Sequence, residues 1–100
     1  MTIGRIWRSA VDPARATDYE RFAAEVSLPM FEQQPGFAGV VMMRSGSECL
    51  VLTLWNDRAA VDALAGSATY LETVRRIEAQ GFLVGGSTLA LADAHLVAVR

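Results

Sequence analysis

The chain reads as an α+β fold with elements in the order β-α-β-β-α-β, the split β-α-β plan around a four-stranded antiparallel sheet. Three observations predict it. Runs rich in β-branched and aromatic residues stand at "TIGRIWRSAV", "FAGVVMMRS" and "ECLVLTLW". Two stretches with apolar residues at helical spacing lie between the first and second runs and after the third. The two central runs are also apolar on both faces, so cover on one side of the sheet is not enough for them.

The elements follow in order. Strand one ends at "DPAR", because a proline cannot continue a ladder, and Ile3, Arg5, Trp7, Ser9 and Val11 share one face. Thr17 followed three residues on by Glu20 has the form of a capping box and predicts a helix start. Tyr19, Phe22, Ala23, Val26 and Met30 then lie on one helical face, and Pro29 predicts a kink or a second short turn over 31–34. "QPGF" stops this helix. Strands two and three are joined by "SGS", a hairpin-length turn with a glycine. In the second helical region Asn56 or Asp57 caps the start, with Val61, Leu64 and Ala65 on one face and a break at Gly66. Thr69 and Glu72 suggest a restart carrying Leu71, Val74 and Ile77, and Gly81 ends it. In "FLVGGSTLALADAHLVAVR" the paired glycines read as a break and "AHLVAV" as strand four. Residues 1–100 are expected to form one domain.

With 100 residues, 52% of them apolar and 8% aromatic, the composition is that of a folding chain. The net charge is −2 and all 9 cations are arginines, without a run of like charge, so phosphate-neutralising nucleic-acid binding is disfavoured. The absence of lysine removes Schiff-base chemistry. Cys49 is the sole cysteine and reads as a small buried hydrophobe. No secretory signal or bilayer-length apolar span is recognisable, and a cytoplasmic, soluble protein without a membrane partner is expected.

Right-handed crossovers put both helical regions on one face of the sheet. The other face is then an exposed apolar surface, and a second copy packed face to face is the economical cover. A homodimer through the sheet face is therefore expected.

The strand carrying Trp7, "PGF" at 35–37, "LTLW" before "NDRAAVDAL", "SATY", and "GFL" before the last strand together resemble the antibiotic biosynthesis monooxygenase (ABM) domain. That is a ferredoxin-like member of the dimeric α/β-barrel superfamily. The resemblance implies a pocket between the sheet and the helices, and an activity among cofactor-free oxygenases of polyketide aromatics, quinol-processing enzymes and haem-degrading enzymes. The haem-degrading branch carries a helix Trp and a His where this chain has Leu64 and Thr73, which argues against haem cleavage. No cofactor and no metal are expected. The implied function is a cofactor-independent monooxygenase acting on a small aromatic compound such as a polyketide, an anthrone or a quinol. The alternative is a non-catalytic dimeric small-ligand-binding or stress-related protein.

Residue chemistry suggests who would act. His95 is the one imidazole and, placed on strand four beside Val97 and Val99, is the candidate base; its other role is a hydrogen-bonded histidine at an edge. Arg5 and Arg8 flank Trp7 on opposite faces of strand one; Arg5 is the candidate stabiliser of a phenolate or peroxide anion, its other reading being a cation at the sheet rim without a chemical role. Trp7 and Trp55 offer flat surfaces with one N–H donor each, or else fill core. Asn56 and Tyr70 are candidate polar contacts, and Phe22 and Met30 candidate apolar lining, with core packing as the other reading of the latter two. Val51, Thr53 and Trp55 share one face of strand three, and that set is favoured for the pocket because it holds the strand's polar groups.

Overall fold

A computed structural model describes residues 1–100. Strands β1 (Ile3–Val11), β2 (Phe37–Ser45), β3 (Glu48–Trp55) and β4 (Leu83–Asp93) form one antiparallel sheet in the order β2-β3-β1-β4. The helices α1 (Ala16–Phe22), α2 (Leu28–Glu32), α3 (Arg58–Ala65) and α4 (Ala68–Gln80) occupy the two crossovers. This is the ferredoxin-like β-α-β-β-α-β arrangement. None of its helices is long and apolar enough to cross a membrane.

The first crossover starts earlier than the Thr17–Glu20 pattern suggests. Asp12 accepts a hydrogen bond from the Ala14 N–H at 3.0 Å and caps a 3-10 turn at Pro13–Arg15, so Thr17 already lies inside the following helix. Between α1 and α2 the chain does not leave the helix. Ala23–Ser27 widen into a π turn in which the Leu28 N–H reaches the Ala23 carbonyl. A proline ring collides with the carbonyl four residues before it, and the wider turn just ahead of Pro29 relieves that collision. The short turn over 31–34 does form, with the Gln34 N–H bonded to the Phe31 carbonyl.

Gly36 explains the "PGF" stretch. Its φ is +82°, and a Cβ there would stand 2.4 Å from the Ala60 Cβ on α3, so no other residue fits both the backbone and the space. The β2–β3 turn has Gly46 at φ +59° at its first central position, as a tight hairpin requires. Asp57 caps α3 through the Ala60 N–H at 2.9 Å. Gly66 ends that helix, and Ser67, not Thr69, caps α4 through the Tyr70 N–H. Ala65 and Leu71 are exposed. The face of α4 turned to the sheet runs through Tyr70, Thr73, Val74 and Ile77, and Leu71 is rotated from Tyr70 by about 100°.

Strand four differs most from expectation. It passes through Gly85 and Gly86 by a bulge, in which the register moves from Arg8↔Thr88 to Ala10↔Val84, and it ends at Asp93. "AHLVAV" is not a strand. The Ala94 N–H bonds the Thr2 carbonyl, and β1 begins at Ile3, opposite Asp93, so the ladder between the two strands ends there. In "STLALAD" the alternation is between large and small residues, with Leu89 and Leu91 opposite Trp7 and Arg5. That alternation carries no polarity signal.

Along the helix-covered face, β1 and β3 contribute residues in three zones. At one end Ile3, Met30, Phe31, Trp55, Val61 and Leu64 form a sealed core. At the other, Val11, Ala16, Tyr19, Phe22, Cys49 and Phe82 form a second. Arg5 and Trp7 lie between them. The opposite face presents Ile6, Leu50, Leu52 and Leu54 half-exposed and Val41 and Met43 exposed. Gly4 and Gly39, paired on either side of Leu54, keep that face flat.

Candidate functional site

The gap between the two cores is a cavity of about 230 Å³ that opens to solvent. Its floor is Arg5 and Trp7 of β1, Met42 of β2 and Val51 of β3. Tyr19, Ala23, Ser27 and Met30 wall one side, and Tyr70, Thr73, Val74 and Ile77 of α4 the other. Phe31, Glu78, Leu83, Ser87 and Leu89 complete it. The π turn contributes directly, because Ala23 and Ser27 both belong to it.

The polar centre is Arg5. Its side chain is buried, its Nη2 donates to the Tyr70 hydroxyl at 2.6 Å, and its guanidinium carbon stands 5.2 Å from the centroid of that ring. No carboxylate forms an ion pair with it: the five salt bridges of the chain involve Arg8, Arg15, Arg44, Arg58 and Arg75. A buried cation without an anion is costly unless something else supplies the charge. Tyr70 is held in place from below. Gln34 reaches from the end of the first crossover to the Thr69 hydroxyl at 2.9 Å and to the Met30 carbonyl, tying α4 to α2 one residue before Tyr70.

Trp7 is half-buried, and its indole N–H has no partner within the chain, so it is free to bond a ligand. Thr73 spends its hydroxyl on the Thr69 carbonyl at 2.9 Å and offers the cavity little polarity. Tyr19 is different. Burial, and next the adjacent Cys49, push its phenol well above its ordinary range, which keeps it neutral. Burial also raises the Cys49 thiol.

Of the residues singled out from sequence, the fold brings Arg5, Trp7, Tyr70 and Met30 together around the cavity. It does not bring the others there. Trp55 is fully buried in the first core, its indole N–H bonded to the Thr53 hydroxyl at 2.8 Å. Phe22 packs edge-on against Phe82 in the second core. Asn56 is exposed and gives its backbone N–H to the Gly36 carbonyl. His95 lies past the end of β4, exposed and outside the cavity, because the strand expected to carry it stops at Asp93. The set Val51, Thr53 and Trp55 does face the helices, but Val51 is its member at the cavity. Glu78 and Ser87 went unnoticed in the sequence; only the bulge and the length of α4 place them at the mouth. No group of three His, Cys, Asp or Glu side chains stands close enough to hold a metal ion.

The profile of the antibiotic biosynthesis monooxygenase family matches residues 2–76. The chain belongs to that family. No curated protein sequence matches it. Among solved structures, Rv0793 from Mycobacterium tuberculosis is 18% identical, with a TM-score of 0.75 over 99% of this chain and 100% of that one. SnoaB, a cofactor-independent oxygenase from Streptomyces nogalater, is 22% identical, with a TM-score of 0.70 over 96% and 95%. A protein of unknown function from Nitrosomonas europaea is 14% identical, with a TM-score of 0.79 over 99% and 94%. At these identities the likeness shows the ABM fold and no more. The matched span of the ABM profile contains Arg5, Trp7, Met30 and Tyr70, and leaves out all of β4.

Proposed function

We propose that this ABM-family protein is a cofactor-independent monooxygenase acting on a small phenolic aromatic compound in the cavity between the cores. The observation that carries this reading is the buried Arg5 guanidinium, bonded to Tyr70 and without a carboxylate partner, in a largely apolar chamber. The cofactor-independent oxygenase activity of SnoaB, a protein of the same fold, is consistent with it.

A phenol whose oxygen meets Arg5 ionises more readily, since an opposite charge at contact lowers such a pKa by roughly 1–3 units. The proton leaves to solvent at the mouth, beside Glu78. The anion is rich enough in electrons to reduce O2 at a conjugated CH2 carbon, forming a C–O bond to a hydroperoxide. Loss of water, the OH from the peroxide and the H from the carbon, leaves a carbonyl. All four electrons come from the substrate, one oxygen atom enters the product and the other leaves as water. Arg5 stabilises the developing negative charge, Tyr70 orients the guanidinium, and Trp7 offers its N–H to the carbonyl oxygen. The protein works as a homodimer, with the flat apolar sheet face covered by a second copy.

Oxygen consumption with hydroquinones, naphthols and anthrones tests the site. Arg5→Met lowers turnover by about 100-fold or more, the scale on which removing an oxyanion donor acts. Tyr70→Phe lowers it less, and His95→Ala leaves it intact. Uptake indifferent to both Arg5→Met and Tyr70→Phe removes the site assignment. One observation favours a second reading, a non-catalytic binding protein: no histidine lines the cavity. Absence of uptake with every compound, alongside tight binding of one, decides for it.

A further inference from the structure

We infer that the ligand of this cavity is an aromatic acid of one or two rings, whose carboxylate is bound by Arg5 and Tyr70. The inference rests on the reading that the cavity is the ligand site, and it names the chemistry that the site selects.

Charge comes first. Arg5 is only 7% exposed, yet it makes one side-chain hydrogen bond, to a neutral phenol, and no ion pair. An arginine has five N–H donors and keeps its charge when buried, so the remaining donors call for an anion. The one carboxylate that lines the cavity, Glu78, lies eight residues beyond Tyr70 on α4, about 12 Å along the helix at 1.5 Å per residue. It belongs to the mouth and does not neutralise Arg5.

A carboxylate fits better than a phenolate alone. It is ionised at neutral pH without help, its ordinary pKa being about 4, whereas a phenol near 10 needs a shift of about 3 units, the limit of what one opposite charge provides. The guanidinium fork matches two carboxylate oxygens. Tyr70 adds a donor, because its oxygen accepts from Arg5 while its own proton is still free. A carboxylate ortho to a phenolic oxygen sets both groups against the same cation, which joins this recognition to the oxygenase reading.

Size comes second. A cavity of about 150 Å³ holds benzene, and drug-sized ligands occupy roughly 300–1,000 Å³. The present volume of about 230 Å³ lies between these, room for one ring with substituents or for two fused rings, against Trp7, Met42 and Val51.

The test is calorimetric titration of the full-length protein with 2-naphthoate and with its neutral isostere 2-naphthamide. Wild type binds the acid about 30-fold or more tightly than the amide, the scale of a hydrogen bond to a charged group, and Arg5→Gln brings the two within about threefold. Tyr70→Phe, which keeps the cation, narrows the gap only in part. Equal binding of acid and amide by wild type overturns the inference without any variant, and so does failure of wild type to bind either. If the acid is preferred through Arg5 but no hydroxylated aromatic acid consumes oxygen, the oxygenase reading falls and this one stands. Turnover of neutral phenols with no preference for acids gives the reverse.

Discussion

The inner face of the sheet divides into two ends and a middle, and the difference between them separates stability from function. At the ends the large side chains pack against one another and the buried polar groups are satisfied within the chain: Trp55 bonds Thr53, and Tyr19 lies against Cys49. In the middle, one strand position away, the Trp7 indole N–H has no partner and Arg5 has a single neutral one. The same strand carries both kinds of position, since Ile3 and Val11 are core while Arg5 and Trp7 are not. A cavity persists because two cores hold the helices off the sheet at each end, so the space between them need not collapse.

Breaking the first seal has the largest effect. Trp55→Ala empties the centre of a core and is expected to cost about 3–5 kcal/mol, read as a shift in the denaturation midpoint. An effect under ~1 kcal/mol would mean that this end is not sealed. The second seal is sensitive to alkali. Tyr19 and Cys49 both have folded-state pKa values raised above their ordinary 10.0 and 9.0, so the folded chain holds protons that the unfolded chain gives up. Their contribution is complete below pH 9 and is lost as pH climbs beyond it. The Tyr19→Phe, Cys49→Ala double variant flattens that alkaline decline; an unchanged slope contradicts the burial of the pair. The smallest change belongs to the middle. Trp7→Phe costs about 1 kcal/mol or less, and the remaining emission, from Trp55, resists acrylamide and ignores added ligand. Emission from Trp7 in Trp55→Phe responds to both.

The fold was readable wherever one residue's chemistry decided a local geometry. Gly81 at φ +74°, Asp57 as a cap, and the Tyr19, Phe22, Ala23 and Met30 stripe all follow from short-range rules. The capping boxes were misleading because each helical region had a better starting residue upstream, Asp12 and Ser67. Strand four was misplaced because a run of β-branched and apolar residues looks like a strand whether or not a neighbour exists to pair with it. With it went His95, whose chemistry suits a base but whose position does not.

The sequence by itself determined the order of elements, the shared face of Ile3, Arg5, Trp7, Ser9 and Val11 on β1, and an apolar sheet face that seeks cover. These depend on periodicity and on residue type, both local properties. Tertiary structure alone decided that Trp7 lines a cavity while Trp55 fills a core, that Tyr70 meets Arg5 across 65 residues, and that β4 stops at Asp93. Those outcomes depend on which elements come to lie opposite one another and on how far each partner strand extends. Neither quantity is written in any one segment.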